Sequence, residues 1–383
     1  MATILNTVYL NGCNYQIAYD LLGQDIANNY SSVRFYGILN VTNNYVAWSR
    51  GTAQVWDAVS TLSTRYNKGS YVVVQKDVTI NHNADGTQSV TVTGSLNTTF
   101  TSGNTQAQLT LPTIPRASYI GNQTGTINNE MTISWNRATS SFTHTLHCKF
   151  GDYDKDLGTN LQTDVKWTPP KELYKYIKTS KTGTGILTLT TYNGSNYIGV
   201  STSTITLNSK ESDSIPVLNS YNIKDTNNKT IALTNDDEII VLYNSNAKCD
   251  INFTIREYAT LKKVTINGID VTSNAVKSES STDDTLIYNL SYTINAINTN
   301  IVNISITDSR DYVLNKQITL SKIVNYIPLT ANLKAYRSQP TTGEIVTEFS
   351  GNYYNGKFNE TSNELKISYA YKNQMKKSFL KKY

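Results

Sequence analysis

Apolar and polar residues alternate with a period of two along most of the chain. The segments "DVTINH", "QSVTVTGSL", "SFTHTLHCKF", "KCDINFTI" and "NISITDS" show the alternation, which is typical of strands that bury one face. These strands are short, and turns rich in Asn, Asp and Gly separate them. The pattern predicts an all-β fold of serial antiparallel β-sandwich domains, jelly-roll-like and immunoglobulin-like, rather than a fold that alternates strands and helices.

Two segments depart from the period of two and are candidates for helices. "PPKELYKYIKTS", at 169–180, opens with prolines that suit the first turn of a helix. "AQVWDAVSTLSTRY", at 53–66, is also compatible with a helix, but its β-branched and aromatic residues fit a strand as well. The sequence leaves both alternatives open for the second of these segments.

Prolines mark the ends of the alternating runs, because proline is not accommodated in the middle of a central strand. The relevant positions are Pro112, Pro115, Pro216 and Pro328. The intervals between them match an immunoglobulin-like domain of roughly 100 residues. We therefore expect an N-terminal β-sandwich at 1–115, immunoglobulin-like β-sandwiches at 116–215 and 216–328, and a hairpin-rich C-terminal region at 329–383. The last of these ends in the basic segment "KNQMKKSFLKKY", interpreted as a solvated tail.

Composition adds modest constraints. Hydrophobic residues make up 38% of the chain, charged residues 16%, and Tyr alone supplies 27 residues. This profile suits β-structure with Thr and Tyr on half-exposed faces, although an AT-rich genome would produce a similar bias. The formal charge of +5 is mild and dispersed, so no nucleic-acid partner is predicted.

The cysteines, the N-terminal segment and the apolar runs indicate whether the protein is exported or inserted into a membrane. Cys13, Cys148 and Cys249 are far apart and odd in number, so we predict neither a disulfide framework nor a zinc site, and expect small buried hydrophobes. "MATILNTVYLNG" lacks the basic and apolar regions of a signal peptide. The longest apolar runs, "YVVV" and "IIVLY", are far too short to span a bilayer. We expect a soluble product without an export signal or membrane insertion.

The stretch "TINHNADGTQS" places His82 three positions before Asp85, a pair that resembles a catalytic or metal-binding couple. Strand phase puts Val78, Ile80 and His82 on one face, and "NADG" fits a hairpin turn that begins at Asn83. Gly86 would supply the positive φ of that turn, and Asp85 would point outward. Turn geometry explains each of these residues, so we interpret the stretch as a hairpin rather than a catalytic pair.

The other two histidines lie in "SFTHTLHCKF". A strand places His144 on the apolar face with Phe142 and Cys148, and His147 on the opposite face. The two imidazoles therefore point away from each other and do not form one metal site. His144 is predicted to be a hydrogen-bonded core residue.

No catalytic, cofactor-binding or metal-binding residue is predicted. The chain lacks the local signatures of serine hydrolases, P-loop proteins, zinc proteases and EF-hands, and no cofactor is indicated. Paired glycosidase carboxylates come from distant loops and leave no local spacing signal, so a glycosidase stays an alternative. The acidic loops "TNDDEII" and "GDYDKD" lack the spaced pattern of a calcium site, and turns or solvated edges explain them better.

Aromatic residues give the best lead to a binding site. Flat rings on a sandwich surface suit a sugar or protein partner, and cross-strand pairing is the structural alternative. The candidate glycan-binding or partner-binding residues of the first segment are Tyr30, Tyr36, Tyr45, Trp48, Trp56 and Tyr66. Trp135 and Trp167 are instead expected in the core of the second segment.

Several phrases, in one order along nearly the whole chain, resemble a family of minor structural proteins of tailed phages that infect Gram-positive bacteria. They are "QDIANNYSSVRF", "VTINHNADGTQSVTVTGSL", "LPTIPRAS", "ISWNRATSSFTHTLHCKFGD", "KWTPPKELY", "TYNGSNYIG" and "YRSQPTTGEIVTEFSGNYYNGKFNETSNELKISYAYK". The resemblance implies a virion component, associated with the tail or another external part of the particle, without settled enzymatic activity, and a role in contact with the host envelope. It brings no catalytic residues. Members of the family continue beyond the "SGNYYNGKF" region, whereas this chain ends at Tyr383.

We therefore expect a non-enzymatic virion structural protein, assembled in the host cytoplasm, that binds a host glycan or wall polymer. Its expected partners are other virion structural proteins, a host cell-wall glycan and further copies of itself in a homo-oligomer. The alternatives are a purely structural capsid or tail decoration or scaffold protein, a bacterial surface adhesin, and a cell-wall-degrading enzyme with carboxylates that the sequence does not reveal.

Overall fold

A computed structural model describes residues 2–339, 341 and 344–368, and it confirms the all-β fold class. Strands dominate the described chain, and nearly all neighbouring strands are antiparallel. The chain divides into two compact units, Met1–Pro169 with Thr184–Asn208, and Pro170–Gly183 with Ser209–Tyr383. No helix among the described residues is long and apolar enough to cross a membrane.

The first unit begins with a two-sheet sandwich. Its strands are β1 (Thr3–Leu10), β2 (Cys13–Asp25), β3 (Tyr30–Ala47), β4 (Gly51–Val55), β5 (Ala58–Thr61), β6 (Arg65–Asn81), β7 (Gln88–Thr98) and β8 (Ser102–Leu111). One sheet has the order β1-β2-β3-β6 and the other β5-β4-β7-β8. Alternate residues of each strand, such as Tyr15, Phe35, Val55 and Leu96, point into a shared core, as period-two burial requires.

The remainder of the first unit is a second set of strands. They are β9 (Gln123–Thr126), β10 (Met131–Ile133), β11 (Phe142–Phe150), β12 (Tyr153–Leu161), β13 (Val165–Trp167), β14 (Thr182–Asn193) and β15 (Asn196–Asn208). The main sheet has the order β12-β11-β14-β15-β9, in which β9 runs parallel to β15. Strand β10 pairs with β13.

The second unit contains another sandwich and most of the helical turns. Its elements are a 3-10 helix (Lys171–Tyr176), α1 (Glu211–Ser214), β16 (Val217–Asp225), α2 (Asn228–Thr234), β17 (Ile240–Val241), β18 (Ala247–Arg256), β19 (Leu261–Ile266), β20 (Ile269–Asp270), a 3-10 helix (Thr272–Asn274), β21 (Ala275–Lys277), β22 (Thr285–Ile294), β23 (Ile301–Asp308), β24 (Val313–Thr319) and β25 (Ile323–Val324). The sheets β16-β18-β22-β21 and β20-β19-β23-β24 enclose an apolar core that includes Phe253, Val264 and Ile306.

Two small hairpins complete the second unit. Strands β26 (Thr330–Arg337) and β27 (Ile345–Asn352) pair with each other, and β28 (Lys357–Phe358) pairs with β29 (Thr361–Ser362). Nearly every residue of β26 and β27 is exposed. The predicted basic tail, at 372–383, lies outside the described residues.

The division into four segments stays a prediction. Within the described residues, no sheet crosses the predicted borders at 115, 215 or 328. The segment 170–183, however, groups with the second unit, although it was predicted to belong with 116–215. There the Lys171 ammonium forms an ion pair of 2.8 Å with Glu257, and the Ser309 hydroxyl donates to the Lys178 carbonyl.

The two helix candidates have different outcomes. Residues 53–66 form the β4–β5 hairpin and the start of β6 instead of a helix, as their β-branched residues allowed. Residues 171–176 do form a helical turn, but it is a short 3-10 helix. Helices α1 and α2 were not predicted, because four or seven residues are too few for a periodic signal. In α2, the Asn227 side chain accepts a hydrogen bond from the Lys229 amide and caps the first turn.

The prediction that the three cysteines are buried hydrophobic residues is confirmed. Cys13, Cys148 and Cys249 are all buried and carry free thiols. Burial raises the pKa of each thiol, to about 11 for Cys148 and about 12 for Cys249. They behave as small hydrophobic core residues with little thiolate at neutral pH.

Candidate functional site

One end of the first sandwich gathers loops from four separate parts of the chain; we call residues 9–12, 42–50, 62–69 and 98–102 the loop end. The amides of Thr42 and Asn43 donate to the Gly12 carbonyl at 3.1 and 3.2 Å. The Thr99 amide donates to the Arg50 carbonyl at 3.1 Å. These backbone bonds join the β1–β2 turn to the bulge in β3, and the β7–β8 turn to the segment before β4.

The loop end has an aromatic interior. Trp48 is only 5% exposed, and its indole N–H donates to the Ser63 carbonyl at 2.8 Å. The rings of Trp48 and Tyr66 lie 5.9 Å apart, and Tyr66 contacts Tyr71 edge to face at 5.1 Å. Trp48, proposed from the sequence as a surface ring, therefore packs inside and holds the loops in place.

The outer surface of the loop end carries three exposed rings. Tyr9 is 78% exposed, Phe100 is 79% exposed and Tyr45 is 51% exposed. The Arg65 guanidinium lies over the Tyr45 ring, 4.2 Å from its centroid, which is a cation–π contact. Only Tyr45 of these three was predicted. Tyr9 and Phe100 lie at strand and turn positions whose exposure becomes visible only once the sheet pairing is known.

The charged groups of the loop end are all basic. Arg50, Arg65 and Lys68 are exposed, and no ion pair is recorded for them within the described part of the chain. The four segments of the loop end contain no Asp or Glu. The surface therefore combines flat apolar rings with cations that have no counterion among the residues that the structure describes.

The remaining predicted aromatics lie elsewhere. Tyr30 pairs with Asn81 at the opposite end of the sheet, and its pKa is raised by a hydrogen bond to Asp25. The Tyr36 hydroxyl donates to Asp20 at 2.9 Å in the middle of the sheet. Trp56 stacks on the buried Phe35 with 5.0 Å between centroids and an interplanar angle of 11°. Of the six predicted residues, the structure brings together Tyr45, Trp48 and Tyr66.

His82 and Asp85 belong to the opposite end of the sandwich and do not form a pair. The His82 imidazole is buried; its Nε2 lies 2.7 Å from the Ser31 hydroxyl and its Nδ1 2.6 Å from the Gly86 carbonyl. Asp85 is exposed and accepts hydrogen bonds from the Thr87 hydroxyl at 2.7 Å and from the Thr87 amide at 3.0 Å. These bonds, first that of the hydroxyl, lower the pKa of its carboxyl.

The turn at 83–86 has the predicted geometry. The Gly86 amide donates to the Asn83 carbonyl at 2.9 Å, which closes a four-residue turn. Gly86 has a φ of +81°, as its place in this turn requires. The predicted turn at "NADG" is thus confirmed, but the predicted hairpin is wrong: β6 and β7 belong to different sheets, so the turn carries the chain from one sheet of the sandwich to the other.

The histidines of β11 point to opposite faces, as predicted. His144 is fully buried, with Nε2 2.8 Å from the Ser118 hydroxyl and Nδ1 3.1 Å from the Leu161 carbonyl. Burial lowers its pKa. Trp135, expected in the core, is only half-buried, and its ring lies 5.4 Å from the His144 ring. Trp167 is likewise half-buried rather than a core residue.

On the outer face, His147 lies between two carboxylates of β12. Its Nδ1 is 2.8 Å from Asp156 and its Nε2 is 2.5 Å from Asp154. These hydrogen bonds, first that of Asp156, raise the pKa of His147. Both ring nitrogens are used in this contact, so the acids of "GDYDKD" serve a cross-strand ion pair.

The acidic loop "TNDDEII" is also used internally. Lys322 contacts Asp236 at 3.1 Å and Glu238 at 2.6 Å, and Lys224 contacts Asp237 at 3.0 Å. Within residues 2–339, 341 and 344–368, no cluster of His, Cys, Asp and Glu is arranged to hold a metal ion. Lys322 and Lys224 already supply the positive charge that balances these carboxylates, a role that a calcium ion would otherwise have.

Comparisons with known proteins give one family match and several distant structural likenesses. The sequence profile of the family described as "Siphovirus protein of unknown function (DUF859)" matches residues 9–350. No curated protein matches the chain.

Among solved structures, the chain is similar to a D1–D4 ectodomain fragment of ICAM-5, at a TM-score of 0.33, 9% identity, and coverage of 85% of this chain and 80% of that one. It is also similar to extracellular cadherin domains 3–6 of protocadherin gamma B2, at a TM-score of 0.30, 9% identity, and coverage of 83% and 79%. A third likeness is to SGBP-B of the Bacteroides ovatus mixed-linkage glucan utilization locus, solved with a heptasaccharide, at a TM-score of 0.19 and 12% identity. That match covers 54% of this chain and 43% of the other protein. At such TM-scores the likenesses carry no argument about function.

Proposed function

Because the chain belongs to the siphovirus protein family of unknown function whose profile covers residues 9–350, we propose that it is a non-enzymatic structural component of the virion, associated with the tail, that contacts the host cell surface. Membership of a siphovirus family supports the virion part of the proposal. The loop end supports the contact part. Its three exposed rings, Tyr9, Tyr45 and Phe100, lie on one end of a rigid sandwich.

The chemistry of the loop end suits binding better than catalysis. Exposed aromatic side chains supply large contact area with little loss of conformational freedom. They are presented by loops fixed through backbone hydrogen bonds to the strands beneath, which is how rigid scaffolds carry binding sites. The histidines, by contrast, are occupied by turn, core and ion-pair contacts. The loop end is therefore the surface that we expect to meet a host glycan.

A binding assay with paired ring variants tests the contact. Fluorescently labelled full-length protein is incubated with cells of the phage's host, and saturable binding is measured with and without prior phage adsorption. The loop-end variant Tyr9→Ser/Phe100→Ser is expected to lose about tenfold or more in affinity, since rings at the centre of an interface contribute about 1–2 kcal/mol each. The matched control is Tyr119→Ser/Tyr197→Ser, which removes two rings that are 64% and 59% exposed elsewhere in the first unit.

Equal binding by both double variants would remove the loop end from the proposal. Immunogold labelling of purified virions tests the tail association independently. Gold on the capsid, or no label on the particle, would contradict it.

A second candidate function is purely structural, in which the chain only joins other virion subunits or further copies of itself. The β26–β27 hairpin favours it. One face of this hairpin carries Leu333, Phe349 and Ile345, which are 67%, 42% and 53% exposed. An isolated two-stranded hairpin with a bare apolar face gains stability only from a covering partner. Incorporation into virions without any binding to host cells would support this second function.

A further inference from the structure

The charges of the first sandwich are sorted by position. Residues 1–115 contain five carboxylates and five cations. Two of the cations are paired on the body of the sandwich: Arg34 contacts Asp77 at 2.5 Å, and Lys76 contacts Asp57 at 3.5 Å. The cations outside the loop end are therefore both neutralised by a neighbouring carboxylate.

The other three carboxylates also lie outside the loop end, and each accepts a local hydrogen bond. Asp20 accepts from the Tyr36 hydroxyl at 2.9 Å, Asp25 from the Asn28 amide at 2.9 Å, and Asp85 from the Thr87 amide at 3.0 Å. The loop end thus holds three cations and no carboxylate, whereas the rest of the segment holds two cations and five carboxylates.

This separation gives the sandwich a positive end of three charges and an equally negative body, although its formal net charge is zero. At 0.1 M salt, exposed charges are screened beyond about 10 Å, so these three cations act on an ion that comes close to the loop end. A field of one sign at a surface attracts a ligand of opposite charge and raises the rate of its encounter. The loop end is therefore complementary to an anion.

The rings define the rest of the ligand. Arg65 lies over the Tyr45 ring at 4.2 Å, so a cation and a flat apolar surface are adjacent there. A single exposed anion gains little from an exposed cation, about 0–1 kcal/mol. A polymer with repeated anionic groups can form several such contacts at once. It loses its translational freedom only once on binding, so the contacts add up to a useful affinity. We propose that the loop end binds an anionic glycan polymer, whose phosphate or carboxylate groups meet Arg50, Arg65 and Lys68 while its sugar rings lie on Tyr9, Tyr45 and Phe100.

This inference deepens the proposed host contact and rests on it. It is tested on the full-length protein by calorimetry or biolayer interferometry with four probes. Glucose-substituted poly(glycerol phosphate), called poly(glycerol phosphate) below, represents a phosphate polymer that carries sugar rings. Hyaluronate represents a carboxylate glycan, dextran a neutral glycan, and single-stranded oligodeoxythymidine a nucleic acid. We expect saturable binding to poly(glycerol phosphate) or to hyaluronate, and the stronger of the two identifies the anionic group.

Salt gives the quantitative signature. With three cations on a linear polyanion, the association constant is expected to fall about 18-fold between 50 and 200 mM salt. In Arg50→Gln/Lys68→Gln, which leaves one cation at the loop end, the fall is expected to be only about threefold. The matched control Arg34→Gln/Lys76→Gln removes one arginine and one lysine from the body of the same sandwich and should keep the 18-fold dependence.

The outcomes separate the inference from the proposed function. Binding of dextran as strong as that of the charged polymers, or equal salt dependence in both double variants, overturns the anionic ligand. Oligodeoxythymidine binding as tightly as poly(glycerol phosphate) overturns the glycan. After either of these results, binding of the wild-type protein to host cells would leave the proposed host contact standing, with a ligand other than an anionic glycan. No binding to host cells would contradict the host contact itself.

Discussion

Gly86 shows how one residue can fix the turn that connects two sheets. It has a φ of +81°, and a β-carbon at this position would clash with the Ile114 carbonyl oxygen. We expect Gly86→Val to destabilise the first unit by about 3 kcal/mol or more, because a β-branched residue is strained at positive φ and its β-carbon would also meet the Ile114 carbonyl oxygen. Tryptophan fluorescence during urea unfolding measures the effect, since all four tryptophans lie within 1–169.

Asp85→Asn is the control for the turn. The amide oxygen of Asn can accept the hydrogen bond that the Thr87 amide now gives to Asp85, so we expect no measurable change in the urea midpoint. A host-binding or other activity lost in Asp85→Asn with an unchanged unfolding curve would contradict the structural role of this turn.

His147 gives the chain a pH-dependent ion pair. Asp156 and Asp154 raise its pKa above the ordinary value of 6.5. The stabilisation by the imidazolium is therefore fully present below pH 6.5 and is lost as pH rises through the folded pKa. We expect His147→Gln to cost up to about 1 kcal/mol at pH 5.5 and less at pH 8.5, a small effect because the partner carboxylates are half exposed.

Lys149→Gln separates this titration from a general loss of charge. The Lys149 ammonium contacts the same Asp154 at 3.4 Å, and its substitution removes a charge while leaving the imidazole of His147 in place. We therefore expect Lys149→Gln to have the same effect on the unfolding free energy at both pH values. A pH-independent effect of His147→Gln would show that His147 acts through packing rather than through its charge.

At the scale of residues, the sequence predicted most where local rules dominate. Alternation placed His144 and Cys148 on the buried face of β11, and turn chemistry identified Gly86. The burial of Trp48 could not be predicted, because it depends on Ser63, Tyr66 and Tyr71 from a different strand region. Burial that arises from contacts distant in sequence leaves no local pattern.

At the scale of elements, the β26–β27 hairpin differs from the strands of the sandwiches. Both of its strands are sheet edges, and its residues are almost all exposed. We expect its amides to exchange with deuterium much faster than those of β18, which lies between β16 and β22 and contributes Phe253 and Ile255 to the core. Exchange measured by mass spectrometry checks this expectation.

Slow exchange in β26–β27 would have a specific meaning. Protection equal to that of β18 requires a partner that covers the Leu333 and Phe349 face, because a lone two-stranded hairpin is marginal in water. Repeating the measurement on Leu333→Asp identifies that partner contact, since a carboxylate at an apolar interface should restore fast exchange.

Elements also show why the sequence could not reveal the loop end. Its four segments lie up to about ninety residues apart, and sheet pairing alone brings them together. The pattern around residues 53–66 fitted both a helix and a strand, and the β4–β5 hairpin was decided by pairing of β4 with β7. The cross-strand partner, rather than intrinsic propensity, determines such segments.

At the scale of the whole molecule, the two units can be followed separately through their cysteines. Cys13 and Cys148 belong to the first unit and Cys249 to the second. Burial raises the pKa of Cys249 from 9.0 to about 12, so its thiolate population falls about a thousandfold, and alkylation requires the thiolate. We expect no alkylation of any cysteine by iodoacetamide in the native protein at pH 8.

We then expect urea to unfold each unit at its own midpoint concentration. Mass spectrometry of the peptides identifies which cysteine has been alkylated. Cys13 and Cys148 should become reactive together with the change in tryptophan fluorescence, because they share the first unit with all the tryptophans. Cys249 should follow the unfolding of the β18 core instead. In Gly86→Val the Cys13 midpoint should fall while that of Cys249 stays constant, since the turn belongs to the first unit alone. Equal shifts of both midpoints would show that the two units unfold as one cooperative body.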